Sequence, residues 1–124
     1  MTNLLAIALG SICGALLRYA IYVSSVKLMD SQFPWGTLAA NLIGCFLMGL
    51  LIGSGKADAN DTLRLGFGVG FLGSLTTFST FSAESVNHAL NGNWGIASAN
   101  VIVNVVVCLL AVTAGIMLAR KAFP

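Results

Sequence analysis

The run from Leu65 to Ser85 is long enough to cross a bilayer, since about 20 residues at 1.5 Å rise span about 30 Å. It nonetheless makes a poor continuous helix. Gly66, Gly68, Gly70 and Gly73 weaken its first half, and its second half is a hydroxyl-rich aromatic patch, Ser74-Leu-Thr-Thr-Phe-Ser-Thr-Phe-Ser82. An unpaired backbone group costs several kcal/mol in hydrocarbon, so non-helical backbone there must be buried in protein or line a wet cavity. The expectation is a helix that breaks near Gly73–Thr77 and resumes at Phe78. Such a break presents free carbonyls and N–H groups at membrane depth, which is how ion and substrate sites are built. The alternative is a continuous glycine-rich helix used for close packing.

The rest of the chain places this stretch in lipid. Only 8% of its 124 residues are charged and 57% are hydrophobic, with mean hydropathy +0.92. A soluble domain carries about 25% charged residues, so the composition predicts an integral membrane protein, one domain over residues 1–124. The net charge of +2 gives no reason to expect nucleic acid as a partner. Cys13, Cys45 and Cys108 are widely spaced and read as small packing residues of a reduced compartment. The N-terminus has no Lys or Arg ahead of its apolar run, so it reads as a retained membrane helix and not a signal peptide.

Four segments follow. The first covers about Leu4 to Val23, with Gly10 and Gly14 as a close-packing face. Arg18 lies within it, and two readings stand: a functional or partnered charge, or one that snorkels to the nearby segment end. Pro34 and Trp35 mark the start of the second, about Gly36 to Gly53, where Thr37, Asn41, Gly44 and Met48 share one face. The Asn41 carboxamide must face protein or water, and a structural interhelical hydrogen bond would satisfy it. A loop with Lys56, Asp58 and Asp61 leads to the third segment, with Asn60 or Asp61 available as its N-cap and an end near Leu90. The fourth, about Ile96 to Leu118, aligns Asn100, Asn104 and Cys108 on one face. Trp94 and His88 fall near the interface, and His88 is given no metal or acid–base role.

Four crossings put both termini on one side. Lys56, Arg64, Arg120 and Lys121 gather there against Lys27 opposite, a weak bias toward a cytoplasmic N-terminus.

Enzymatic chemistry needs a base, a nucleophile, a metal or a cofactor motif. With one His, Glu84 as the one acid inside a segment, and no phosphate loop, no enzyme is expected. The third segment instead offers Phe78 and Phe81 at i, i+3, Ser79 and Ser82 at the same spacing, and a track of Thr77, Thr80 and Glu84. A phenyl ring is positive at its edge. Two such edges, with Asn41 amide hydrogens and nearby hydroxyls, could replace the water shell of a small anion. The same two rings are equally at home as lipid-facing or core residues.

Gly70-Phe-Leu-Gly-Ser-Leu-Thr-Thr-Phe-Ser-Thr-Phe-Ser-Ala-Glu84 closely resembles the signature of the CrcB/Fluc family of microbial fluoride channels. Trp35-Gly-Thr-Leu-Ala-Ala-Asn-Leu-Ile-Gly44 resembles its second-helix motif and Gly14-Ala-Leu-Leu-Arg-Tyr19 its first, so the likeness covers the whole chain. The resemblance implies an all-α membrane protein of four transmembrane helices, the third broken mid-membrane. It implies an inverted, dual-topology homodimer in the bacterial cytoplasmic (inner) membrane, passively exporting fluoride through two narrow pathways around a central structural sodium ion. On matching positions, Phe78 and Phe81 become the facing phenylalanines and Asn41 the pore asparagine. Thr37, Ser79, Thr80 and Glu84 form a polar track, and the backbone carbonyls of Gly73 and Thr76 hold the sodium. Arg18 has a vestibular or structural role. Asn100 and Asn104 depart from the family pattern and are placed with it. The charge bias is large for a chain inserting both ways, which leaves open a separate inverted partner subunit.

Four thin helices leave no room for a pore, so a path requires a second chain in any case. Two rivals define the contrast. A small four-helix multidrug exporter needs a membrane acid in its first helix, where this chain has Arg18 instead. A non-conducting membrane assembly subunit predicts no ion flux from the pure protein.

Overall fold

With no proline and only two glycines before Met29, nothing interrupts the first helix, and α1 runs Thr2–Leu28. It outlasts the expected Val23 because Ser24 to Lys27 carry no helix-stopping residue, and it ends where Met29 turns extended. The structure is a computed structural model describing residues 1–56 and 60–123; Asp58 lies outside them. α2, Trp35–Gly53, begins directly after Pro34, whose fixed φ suits a helix start. Asn60 caps the next helix by accepting from the Leu63 N–H, which settles the choice between Asn60 and Asp61. That helix, α3, covers residues 61–75. α4 is Phe78–Leu90 and α5 is Trp94–Ala122. The described residues form helices and no strands. Three helices, α1, α2 and α5, are long and apolar enough to cross a membrane. α3 and α4 together make up the third segment.

The middle of α3, Arg64–Leu72, is π-helical, a widening that the sequence reading did not anticipate. The Gly73 N–H reaches back to the Gly68 carbonyl, the i→i+5 pattern of that form. Gly66, Gly68 and Gly70 give the wide turns little side-chain bulk to crowd. Gly66 and Gly70 also admit α1, since a Cβ on them would meet Ala6 or Ile7, and a side chain on Gly10 or Gly14 would collide with the backbone of Gly66 or Phe71. The expected Gly10/Gly14 face is therefore the α1–α3 contact.

α2 and α5 lie side by side in a register of constant offset. Asn41 meets Asn104, Cys45 meets Cys108, Gly49 meets Val112 and Gly53 meets Ile116, each pair 63 positions apart along the chain. Gly49 and Gly115 let the two backbones close, since a Cβ on either would strike the other helix. Gly49→Leu is accordingly expected to force this seam open, an overpacking cost of about 1–3 kcal/mol or more. Thermal unfolding of detergent-purified protein should show a large loss of midpoint. Gly95→Ala, where an added Cβ meets nothing within 4 Å, should match or exceed wild type.

The most deeply buried apolar residues, Ala40, Leu72 and Leu75, sit where α2 meets the end of α3, with Ile21, Leu47, Met48, Phe67 and Phe71 packed around them. This core supports the C-terminal end of α3.

Candidate functional site around the Thr76–Thr77 interruption

Helical backbone stops at Leu75. Thr76 (φ −79°, ψ 153°) and Thr77 (φ −148°, ψ 107°) are extended, and Phe78 begins α4. The interruption is narrower than the expected Gly73–Thr77 stretch. Gly73 keeps helical angles (φ −63°, ψ −31°), so it is a position within α3 and not part of the turn. The deciding residue is Thr77. Its Oγ1 accepts from the Thr80 N–H at 3.2 Å and donates to Thr80 Oγ1 at 2.9 Å, an N-cap that starts a new helix. Its own N–H, which an unbroken helix would give to the Gly73 carbonyl, donates instead to Asn41 Oδ1 at 2.8 Å.

That bond fixes the Asn41 carboxamide, because Thr77 N–H requires an oxygen opposite it. The amide nitrogen is then the end that points onward. Its two contacts are long, to the Thr77 carbonyl at 3.4 Å and to Asn104 Oδ1 at 3.2 Å. Asn104 donates to Asn100 Oδ1 at 2.7 Å, and Asn100 to Ser85 Oγ at 2.9 Å, which in turn donates to the Phe81 carbonyl. One polar chain therefore links α2, α5 and α4. Asn100 is fully buried and Asn104 nearly so. Ser85 was missed in the sequence; it lies one helical turn after Phe81, on the same face, and that spacing was legible.

Phe78 and Phe81 come together as expected, ring centroids 5.4 Å apart and tilted by 53°. Their surroundings differ sharply: Phe81 is 8% exposed and Phe78 is 79% exposed. Both line a cavity of about 410 Å³ with Asn41, Thr76, Thr77 and Asn104.

The polar track divides. Thr37 donates to Glu84 Oε1 at 2.8 Å, while Glu84 Oε2 is buried without a partner. Thr80 and Thr77 line a second cavity of about 220 Å³ with Arg18, Tyr22 and Thr37. Glu84 and His88 line a third of about 220 Å³ beside Trp35. Ser79 is exposed and 3.4 Å from the Thr77 hydroxyl. Thr77 borders both the ring-lined cavity and the Arg18 cavity, so it stands between the two groups of candidate residues.

Arg18 does not reach for the segment end. Its Nη1 donates to the Thr76 carbonyl at 3.5 Å, a long bond at the interruption itself. Among the described residues no cluster of three His, Cys, Asp or Glu side chains stands ready for a metal.

The chain is similar to known proteins over nearly its whole length. A protein 44% identical over 123 residues, covering 98% of this chain and 99% of the relative, is the "Fluoride-specific ion channel FluC" of Geobacter sulfurreducens. Proteins of the same name from Shewanella sp. strain ANA-3 and Shewanella frigidimarina are each 43% identical over 116 residues, covering 93% of this chain and 94% of theirs. The family model described as "CrcB-like protein, Camphor Resistance (CrcB)" matches residues 5–116, and the chain belongs to that family.

Proposed function

We propose that this chain is a fluoride channel that lowers cytoplasmic fluoride by passive export across the bacterial cytoplasmic membrane. The observation that carries the reading is the convergence of Asn41, Phe78 and Phe81 on one cavity beside the Thr76–Thr77 interruption. The names of its full-length relatives support it.

The proposed work of each residue follows from its contacts. Thr77 N–H holds Asn41 Oδ1 tightly, so the carboxamide is pre-aimed with its hydrogens toward the cavity. Those hydrogens sit in long bonds that an anion can outcompete, since a charged acceptor makes a hydrogen bond roughly twice as strong as a neutral one. The positive ring edges of Phe78 and Phe81 replace part of the ion's water shell. Beyond Thr77, the hydroxyls of Thr37, Ser79 and Thr80 continue the donor supply toward Glu84.

Phe78 is the argument for a second chain. A ring 79% exposed beside this cavity completes a narrow path only when another copy covers it. In the proposed assembly that copy is inverted, giving two pathways related by an axis in the membrane plane. Each chain's third segment is then broken at mid-membrane, its interruption facing that of its partner. A structural sodium ion would be held between them by backbone carbonyls of Gly73 and Thr76. The donor set fits: both are hard oxygen ligands, Gly73 O lacks the Thr77 N–H of a continuous helix, and among the described residues Thr76 O has only the long Arg18 contact. When bound, sodium would satisfy these carbonyls and raise the local potential for an anion passing nearby.

Two measurements test this. Proteoliposomes containing the pure protein should release fluoride far faster than chloride; comparable rates would reject the channel reading. Cysteine labelling of a loop residue should reach it from both sides of the membrane, and labelling from one side alone would replace the homodimer with a separate inverted subunit. Gly73→Val adds a check on the axis. A Cβ at Gly73 meets nothing closer than 3.9 Å within the chain, so loss of dimer in that variant would come from a contact with the second copy.

A further inference from the structure

The constant register between α2 and α5 has a chemical result one turn beyond the Asn41–Asn104 hydrogen bond. There it sets Cys45 on α2 opposite Cys108 on α5, between the Asn41–Asn104 and Gly49–Val112 contacts. Both are partly exposed, and both line the 410 Å³ cavity. Met48, one turn after Cys45, lines it too. Two thiols and a thioether therefore share one stretch of wall, and the proposed fluoride path uses none of them.

Sulfur ligands of this kind select soft metals over oxygen-seeking cations such as sodium or magnesium. Charge narrows the choice further. An uncompensated charge is costly in apolar surroundings, and two thiolates neutralise one divalent ion. We propose that Cys45 and Cys108, with Met48 as a weaker third ligand, bind one soft divalent metal ion of the mercuric class. Each thiol gives its proton to water as its sulfur–metal bond forms, and no electron changes hands. Binding depends only on this seam and stands whether or not fluoride passes.

Detergent-purified protein is reduced with a phosphine, desalted and titrated with Hg²⁺ against glutathione as competitor. Metal per chain is counted after gel filtration, with thiolate-to-metal charge-transfer absorption as a second readout. Cys13 is exposed and does not line this cavity, so Cys13→Ser should retain one ion per chain. Cys45→Ser or Cys108→Ser should weaken binding by about 100-fold or more, because the second thiolate otherwise binds at high effective concentration. Met48→Leu should give a smaller loss. In the Cys13→Ser protein, Hg²⁺ should also protect Cys45 and Cys108 from maleimide, a test that needs no change at the site. The site is overturned if Cys13→Ser protein loses the metal to glutathione, if maleimide modifies both thiols despite the ion, or if either serine variant retains mercury as well as Cys13→Ser does.

Discussion

Asn41→Asp is expected to abolish fluoride efflux, the largest effect of any single substitution at the proposed path. The carboxylate keeps an acceptor for Thr77 N–H, so the bond that anchors the side chain survives. Its other oxygen then replaces the amide nitrogen opposite the Thr77 carbonyl and Asn104 Oδ1, three acceptors with no proton among them. A fluoride ion about 4 Å away would meet about 4 kcal/mol of repulsion at an effective dielectric of about 20. That alone slows passage roughly a thousandfold, since about 1.4 kcal/mol is a factor of ten. Asn41→Leu separates charge from hydrogen bonding. It leaves the Thr77 N–H without its acceptor, a cost of about 1–3 kcal/mol, and should lower stability more than Asn41→Asp does. Efflux from proteoliposomes, measured beside dimer yield on size exclusion, checks both. Wild-type flux through an intact Asn41→Asp dimer would remove Asn41 from the path.

Phe81→Ile is expected to reduce flux by up to about tenfold while the dimer persists. Isoleucine keeps most of the apolar burial of this nearly enclosed side chain but has no positive edge to offer. A ring-edge contact is worth about 0.5–1.5 kcal/mol, which converts to roughly a tenfold change in rate at its upper end. Phe78→Ile should behave differently in stability. With its ring largely outside the single chain, Phe78 contributes little to the monomer's own packing and more to what covers it. A drop in flux with unchanged dimer at both positions supports ring-edge solvation. Normal flux in both variants would make the rings packing residues only.

Much of this was readable because polar groups in an apolar chain have few permitted places. Asn41, Asn100 and Asn104 had to point inward, and they do, into one connected chain of bonds. The pairing of Phe78 with Phe81 followed from i, i+3 spacing. What escaped was whatever depends on which helix lies opposite. Gly73 looked like the hinge because glycine tolerates a break, but the turn is set by Thr77, whose hydroxyl caps α4 and whose N–H is taken by another helix. Arg18 admitted two readings because its reach covers both the segment end and the Thr76 carbonyl. The facing of Cys45 and Cys108 was invisible for the same reason: it needs a register between two helices, which one strand of sequence does not contain.

The interruption at Thr76–Thr77 also bears on how the chain enters the bilayer. α4 has 13 residues and α3 slightly more, so each spans only about 20 Å of a hydrocarbon layer about 30 Å thick. Neither half can serve as an anchor by itself, and the exposed amide and carbonyls between them would repel lipid. The groups that meet them, Asn41 and Arg18, belong to α1 and α2 and are synthesised earlier. Translation order thus delivers the partners before the vulnerable backbone emerges. The third segment is then received by protein already in the membrane, and a change that removes the Asn41 acceptor, such as Asn41→Leu, would surface first as a failure of biogenesis.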